Sequence, residues 1–323
     1  MMLSLKSNKI KAFSLSLFAS LIFWVSTGLH DGSGFGTDMT RYFEFYYIFP
    51  RCPSYDLNLV KEVQFSNDIL FNFIFYLSRC VGLEFSFFLL FVSFCYYWIF
   101  CAFANKEQLS SFIFLFAGFL VTTFWMTSLV YVVLRQGVAS VVLIYLLVMF
   151  PHLKGFKAVS LAVAAFFIHS SMLVAFPFVL FNRLFLRFLT LLRLFFLFIF
   201  VLYFSNLFLV LQPYIIDTIY FFGLNPRSLI KSETYIVGMT YGKAAAIILP
   251  VLLAEIAGIW QRNLRLKIIY AFYLYVEIVG MMLSGLPYND RIMLIGWVAY
   301  PFILIPCLDV VLRRTALTGR TKT

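Results

Sequence analysis

Charge is what this sequence lacks. Only 12% of its 323 residues are Asp, Glu, Lys or Arg, about half the share of a soluble domain. Acids are the scarcer sign, 14 against 25 bases. An ordinary water-soluble domain is therefore excluded. The three histidines (His30, His152 and His169) lie far apart in sequence, and the five cysteines show no metal-ligand spacing. No acidic cluster resembles a magnesium site. The chain is thus expected to use neither a metal nor another cofactor. Cys52, Cys80, Cys95, Cys101 and Cys307 read as small buried hydrophobes. No internal repeat or coiled-coil period is visible. The glycines Gly32, Gly34 and Gly36 make a loop, not a dinucleotide fingerprint, because no strand precedes them.

Apolar residues take the place of charge. They make up 63% of the chain, 42 of them Phe, and the mean hydropathy is +0.95. Apolar runs of 18 or more residues recur, so the bilayer is the solvent, and helices are the form that hides a backbone there. The expectation is an all-α, polytopic transmembrane bundle forming a single integral membrane domain over 1–323. Candidate spans are Ala12–Leu29, Ile69–Val81, Phe85–Ala104, Ser111–Thr127, Val132–Phe150, Ala158–Leu180, Phe188–Leu211, Ala244–Trp260, Ile268–Leu286 and Ile292–Val311. The second is short. The first follows a basic start (Lys6, Lys9, Lys11) without a small-residue cleavage site, which reads as a retained span.

The net charge of +11 points to cytoplasmic anchoring of loops rather than to nucleic acid. Basic clusters stand before the first span, at Arg183, Arg187 and Arg193, at Arg262, Arg265 and Lys267, and at Arg313, Arg314, Arg320 and Lys322. Ten spans with both termini in the cytoplasm keep all four clusters inside. The segments His30–Asp68 and Gln212–Gly242 are then external loops, as is the turn Pro287–Arg291. The connection Pro151–Lys157, with Lys154 and Lys157, falls outside in this count.

A few polar residues stand out against this background. In the external segment, Thr37 and Asp38 can cap a short helix that brings Arg41, Tyr42 and Glu44 together, either as an interfacial lid or as an acidic group facing a site. Arg135 and Gln136 interrupt an apolar run. An arginine keeps its charge, so Arg135 must snorkel, pair with an acid or meet an anionic ligand. His169, with Ser170 and Ser171, sits in the run Ala158–Leu180, where it serves as helix–helix glue or as a proton-transfer group. Glu255 and Glu277 read as counter-charges for buried arginines. Arg291, beside Tyr288 in the outer turn, has no explanation in cytoplasmic anchoring.

Taken in order, Gly36-x-Asp38-x-x-x-Tyr42, Arg135-Gln136-x-x-Ala139, His169-x-Ser171 and Arg291 leading to Tyr300 resemble the EpsG-like family of bacterial polysaccharide polymerases. That family is related in role to the Wzy-type O-antigen polymerases, and the similarity runs roughly from Gly36 to Tyr300. The resemblance implies a GT-C-like helical architecture in the bacterial inner membrane. It implies a metal-independent glycosyltransferase that joins undecaprenyl-diphosphate-linked oligosaccharide repeat units at the periplasmic face, making O-antigen, exopolysaccharide or a related glycan. Arg135 and Arg291 would then hold the diphosphate, His169 or Asp38 would take the proton of the acceptor hydroxyl, and Glu44 would favour the oxocarbenium-like sugar. Gln136, Arg41, Tyr42 and Ser171 are expected around the substrate, with Tyr288 and Tyr300 from the C-terminal part. Membrane lipids and a chain-length regulator protein are the further partners implied. A flippase for the same lipid-linked sugar, or an O-antigen ligase, is the alternative; a transporter would show two similar halves.

Overall fold

In the computed structural model the chain is helical. The structure describes residues 2–28, 37–48, 68–109, 133–153, 155–208, 210–211, 214, 240–284 and 289–320. Among these, the α-helices up to the middle of the chain are α1 (Met2–Ser26), α2 (Thr37–Ile48), α3 (Ile69–Cys80), α4 (Phe85–Lys106), α5 (Leu134–Met149) and α6 (Gly155–Ile168). They are followed by α7 (Ala175–Arg187), α8 (Leu189–Phe204), α9 (Tyr241–Ala257), α10 (Leu264–Met282), α11 (Asn289–Trp297) and α12 (Tyr300–Arg320). Packing divides the chain into two compact units, Met1–Leu173 with Leu312–Thr323, and Val174–Val311.

In the first unit α1 and α4 are antiparallel neighbours. Phe13 meets Phe94 and Trp98 edge-on, with ring centroids 5.4 Å apart in each pair, and Trp24 Nε1 donates to the Ser86 carbonyl at 2.9 Å. The chain therefore leaves α1 and enters α4 at the same end of the pair. The helices between them pack at that end too. Phe75 of α3 lies 5.1 Å from Tyr46 and 5.1 Å from Phe88, and Tyr46 Oη donates to the Leu83 carbonyl at 2.6 Å. With 12 residues, α3 is about 18 Å long, too short for about 30 Å of hydrocarbon. Its packing beside the end of α1 and the start of α4 makes Ile69–Val81, expected as a second span, a short helix held at one end of the unit.

α4 and α5 run side by side in the same direction, and Lys106 Nζ at the end of one reaches Met149 Sδ at the end of the other, 3.1 Å away. Near this end Arg313 donates to the Gln108 carbonyl at 2.6 Å. Between them, Phe94, Trp98, Val142 and Tyr145 line an apolar groove of about 500 Å³ with Phe13 and Leu161. α6 packs back along α5 and stops at Ile168. The expected continuous span Ala158–Leu180 is broken there. The N–H of Ser171 points to the Nδ1 ring nitrogen of His169, 3.1 Å away, and so leaves the helical ladder. A 3-10 turn, Ser170–Val174, leads into α7.

In the second unit α10 is apolar and wrapped on nearly every side, with Leu266 and Ile268–Leu274 all buried. Phe178 of α7 meets Phe272 edge-on at 5.3 Å. Asn263 caps α10 by accepting from the Leu266 N–H at 2.9 Å, and α9 ends at Gly258 in the left-handed conformation. Pro250 lies inside α9 and removes the N–H that the Ala246 carbonyl would accept. Tyr273 Oη of α10 takes over, lying 3.3 Å from that carbonyl and 2.8 Å from the carbonyl of Ile247.

Four helical stretches among the described residues are long and apolar enough to cross a membrane: Phe85–Lys106, Leu134–His152, Ser170–Arg187 and Arg291–Arg314. That is four, not the ten expected. Lys11–Ser26, Gly155–Ile168 and Leu189–Phe204 are apolar but shorter, and the candidate span Ser111–Thr127 lies outside the described residues. The chain is an all-α protein with several membrane-compatible helices.

Two glycines let α10 and α11 approach closely. A Cβ at Gly280 would lie 2.7 Å from Met293 Cγ, and one at Gly296 would collide with the Glu277 carboxyl. Gly296→Ala is expected to cost about 1–3 kcal/mol by overpacking. In a Glu277→Ala background the same change should cost less than half as much, because the clashing atoms are gone. Denaturant titration of the purified protein in detergent measures both.

Candidate functional site

Four segments of the first unit converge at the start of α5. Arg135 stands in its first turn, with 20% of its side chain accessible. One guanidinium nitrogen, Nη1, pairs with the carboxylate of Asp68, which is only 3% accessible. Nε donates to Tyr42 Oη of α2 at 3.3 Å. Asp68 occupies the N-cap of α3 but makes no side-chain cap bond. Its carboxylate turns away to Arg135, and the Ser170 backbone lies close enough to act on it electrostatically. Burial lifts the Asp68 carboxyl above the ordinary aspartate range, against the pull of Arg135 and of the Ser170 backbone.

His169 precedes Ser170 in the broken segment and is buried. Its Nδ1 accepts the Ser171 N–H at 3.1 Å, and the Ser171 hydroxyl lies 2.8 Å from the same nitrogen. A backbone N–H can only donate, so Nδ1 carries a lone pair and the neutral ring holds its proton on Nε2. Ion pair, phenol, backbone amide and imidazole thus occupy one neighbourhood. Such a set binds an oxyanion through donors, with a carboxylate fixing the cation.

Of the residues singled out in the sequence, Arg135 and Tyr42 are in contact, and His169 and Ser171 are in contact on either side of Ser170. Gln136 is fully buried beside them. On α2, Met39, Tyr42, Phe45 and Tyr46 turn inward while Arg41 and Glu44 stay exposed, so these two are not part of the cluster. Asp38 lies in the first turn of α2, and its side chain is outside the described residues. Tyr288 is outside them altogether. Arg291 and Tyr300 belong to the second unit, at the starts of α11 and α12, half-buried and buried respectively.

Sequence reasoning missed Asp68. Its signal was present, an acid directly before an apolar run in a chain where Arg135 needed a counter-charge. It missed Arg79 as well, whose guanidinium lies over the Tyr47 ring at 4.6 Å and helps seat α2 on α3. The reading of all five cysteines as buried hydrophobes also needs correction. Cys80 is disulfide-bonded, Cys95, Cys101 and Cys307 are free thiols, and Cys52 lies outside the described residues.

The two other acids separate. Glu255 pairs with Arg193 and accepts from Tyr270 Oη at 2.6 Å, a counter-charge as expected. Glu277 pairs with no arginine among the described residues. Both of its oxygens are buried without a hydrogen-bond partner there, so the counter-charge expectation fails for it.

A family model described as the EpsG family matches residues 13–316. No curated protein and no solved structure matches the chain.

The His169 geometry makes a spectroscopic prediction. In protein labelled with ¹⁵N-histidine, Nδ1 of neutral His169 should give a pyridine-type signal and Nε2 a pyrrole-type signal, with His169→Gln used for assignment. The opposite pattern would mean that Ser171 does not hold the ring through Nδ1.

Proposed function

The chain belongs to the EpsG family, and from that premise we propose that it is a membrane glycosyltransferase that polymerises undecaprenyl-diphosphate-linked oligosaccharides at the periplasmic face of the bacterial inner membrane. The observation that carries this reading is the Arg135 guanidinium, held by Asp68 and Tyr42 beside His169 at one end of an apolar helix unit.

In this reading an acceptor hydroxyl of one repeat unit attacks the anomeric carbon of the growing chain. The carbon–oxygen bond to the lipid diphosphate breaks, and the diphosphate leaves with the bonding pair. Arg135 stabilises the charge that develops on it. His169, with Nδ1 engaged by Ser171, adds its Nε2–H as a second donor rather than serving as the base. The hydroxyl proton goes to a carboxylate, for which Asp38 is assigned, four residues before Tyr42 on α2. Arg291, in the second unit, keeps the candidate role of an anion ligand that the family resemblance gives it. The groove lined by Val142 and Tyr145 begins about 10 Å down α5 from Arg135 and suits an isoprenoid tail.

The first unit's packing also supports a revised topology with Arg135 outside. α3 leaves the list of spans, while the run broken at His169 becomes two spans, α6 and α7. Lys106, Lys154, Lys157, Arg183, Arg187, Arg262, Arg265, Lys267, Arg313 and Arg314 then all face the cytoplasm, as cytoplasmic anchoring favours. The Cys80 disulfide sits on the oxidising side.

Purified protein reconstituted with a lipid-diphosphate-linked repeat unit should give a ladder of long glycans on a gel. Arg135→Ala and Arg291→Ala should each lower that output by about 100-fold. No ladder from wild type would overturn the polymerase reading, and a wild-type ladder from Arg135→Ala would remove Arg135 from it.

Topology is tested separately. A membrane-impermeant maleimide should label Thr27→Cys and Glu84→Cys from outside, and should reach Gln108→Cys and His152→Cys only once the inner face is opened. Outside labelling of His152→Cys would restore α3 as a span.

A further inference from the structure

Asp68 is assigned by neither the motifs nor the family match, yet its buried carboxylate pairs with the Arg135 guanidinium. We propose that Asp68 is the positioning residue of the site, fixing the Arg135 guanidinium for a prenyl diphosphate; this rests on the reading of Arg135 as the diphosphate ligand.

Three observations lead there. First, Asp68 sits at the N-cap of α3 without capping it. An N-cap aspartate ordinarily bonds an amide of its own first turn, so this carboxylate is committed elsewhere. Second, it pairs instead with Arg135 of α5, and the backbone of Ser170, the residue after His169, lies near the same carboxylate. Third, Arg135 is restrained twice, at Nη1 by Asp68 and at Nε by Tyr42, while a fifth of its side chain remains accessible. A guanidinium held at two of its three nitrogens has its orientation set for an incoming anion, and little rotamer entropy is left to lose on binding.

Electrostatics alone predicts the opposite sign. A carboxylate next to Arg135 cancels its charge, so removing that carboxylate should tighten the binding of any anion. Positioning predicts weaker binding, because an Asn amide is uncharged and presents a donor in place of one acceptor oxygen, so the guanidinium is held less firmly and loses its aim. The sign of the effect separates the two.

The experiment uses the full chain in detergent with geranylgeranyl diphosphate as the probe and geranylgeraniol as the uncharged control. Wild type, D68N, D68E, R135Q and the D68N/R135Q double variant are compared, each first checked for a monodisperse profile. D68N should weaken diphosphate binding about tenfold, D68E should fall between D68N and wild type, and the alcohol should bind all of them alike. The double variant should bind no more weakly than R135Q, because Asp68 acts through Arg135. Unchanged or tighter binding by D68N overturns the proposal, as do additive losses in the double variant. Should D68N fail to fold, D68E carries the test: a few-fold loss supports positioning, and wild-type affinity overturns it. If R135Q itself binds like wild type, the underlying reading of Arg135 fails; weak binding by R135Q with intact binding by D68N sinks only the role of Asp68.

Discussion

An apolar helix that begins with an arginine has to settle the charge before it can bury the rest of itself. Arg135 cannot deprotonate, and its neighbours in α5 (Leu134, Gln136, Gly137, Val138) are all buried. The pair with Asp68 answers this constraint, and removing one partner of so enclosed a pair costs about 3–5 kcal/mol. Much of the first unit follows. Asp68 begins α3, so α3 must start where α5 starts, and the aromatic contacts of Phe71 and Phe75 with α2 carry Tyr42 to the same place.

Polar atoms within apolar packing obey the same rule by other means. Where Pro250 deprives the Ala246 carbonyl of its donor, a tyrosine from the neighbouring helix supplies one. Where Arg193 runs along an exposed apolar face, Glu255 and the Trp260 ring receive it. Glu277 stands apart, fully buried against the Gly296 notch. The notch is a steric demand: α11 can lie this close to α10 only where it has no side chain.

The pair also changes what the site can do. An unrestrained arginine at a helix end reaches many anions poorly; one held at two nitrogens presents a single donor edge. His169, with its Nδ1 occupied, contributes a donor of its own. Two donors and a buried carboxylate suit a leaving diphosphate better than they suit a proton-abstracting base. The family match covers residues 13–316 and so includes every residue of this cluster.

Composition by itself determined the solvent and the helical class, since a chain with 12% charge has no other way to hide its backbone. Rarity did the rest: Arg135, His169 and Tyr42 stood out because polar groups in apolar runs need partners, and the structure gathers all three. The partner was not legible, because Asp68 is 67 residues from Arg135 in sequence and local pattern carries no information across that distance. Nor could hydropathy separate an apolar helix that crosses from one that does not. Ile69–Cys80 is as greasy as a span, and only its packing against α2 and the α1–α4 pair shows that it stays at one end. The break at His169 escaped because His169, Ser170 and Ser171 sit inside an otherwise apolar run that reads as one span, and only the structure shows the Ser171 N–H turned to the ring and out of the helical ladder. The inventory of polar groups was thus written in the sequence, while their pairing, and with it the geometry of the site, was decided by tertiary contacts that satisfy each buried charge and amide.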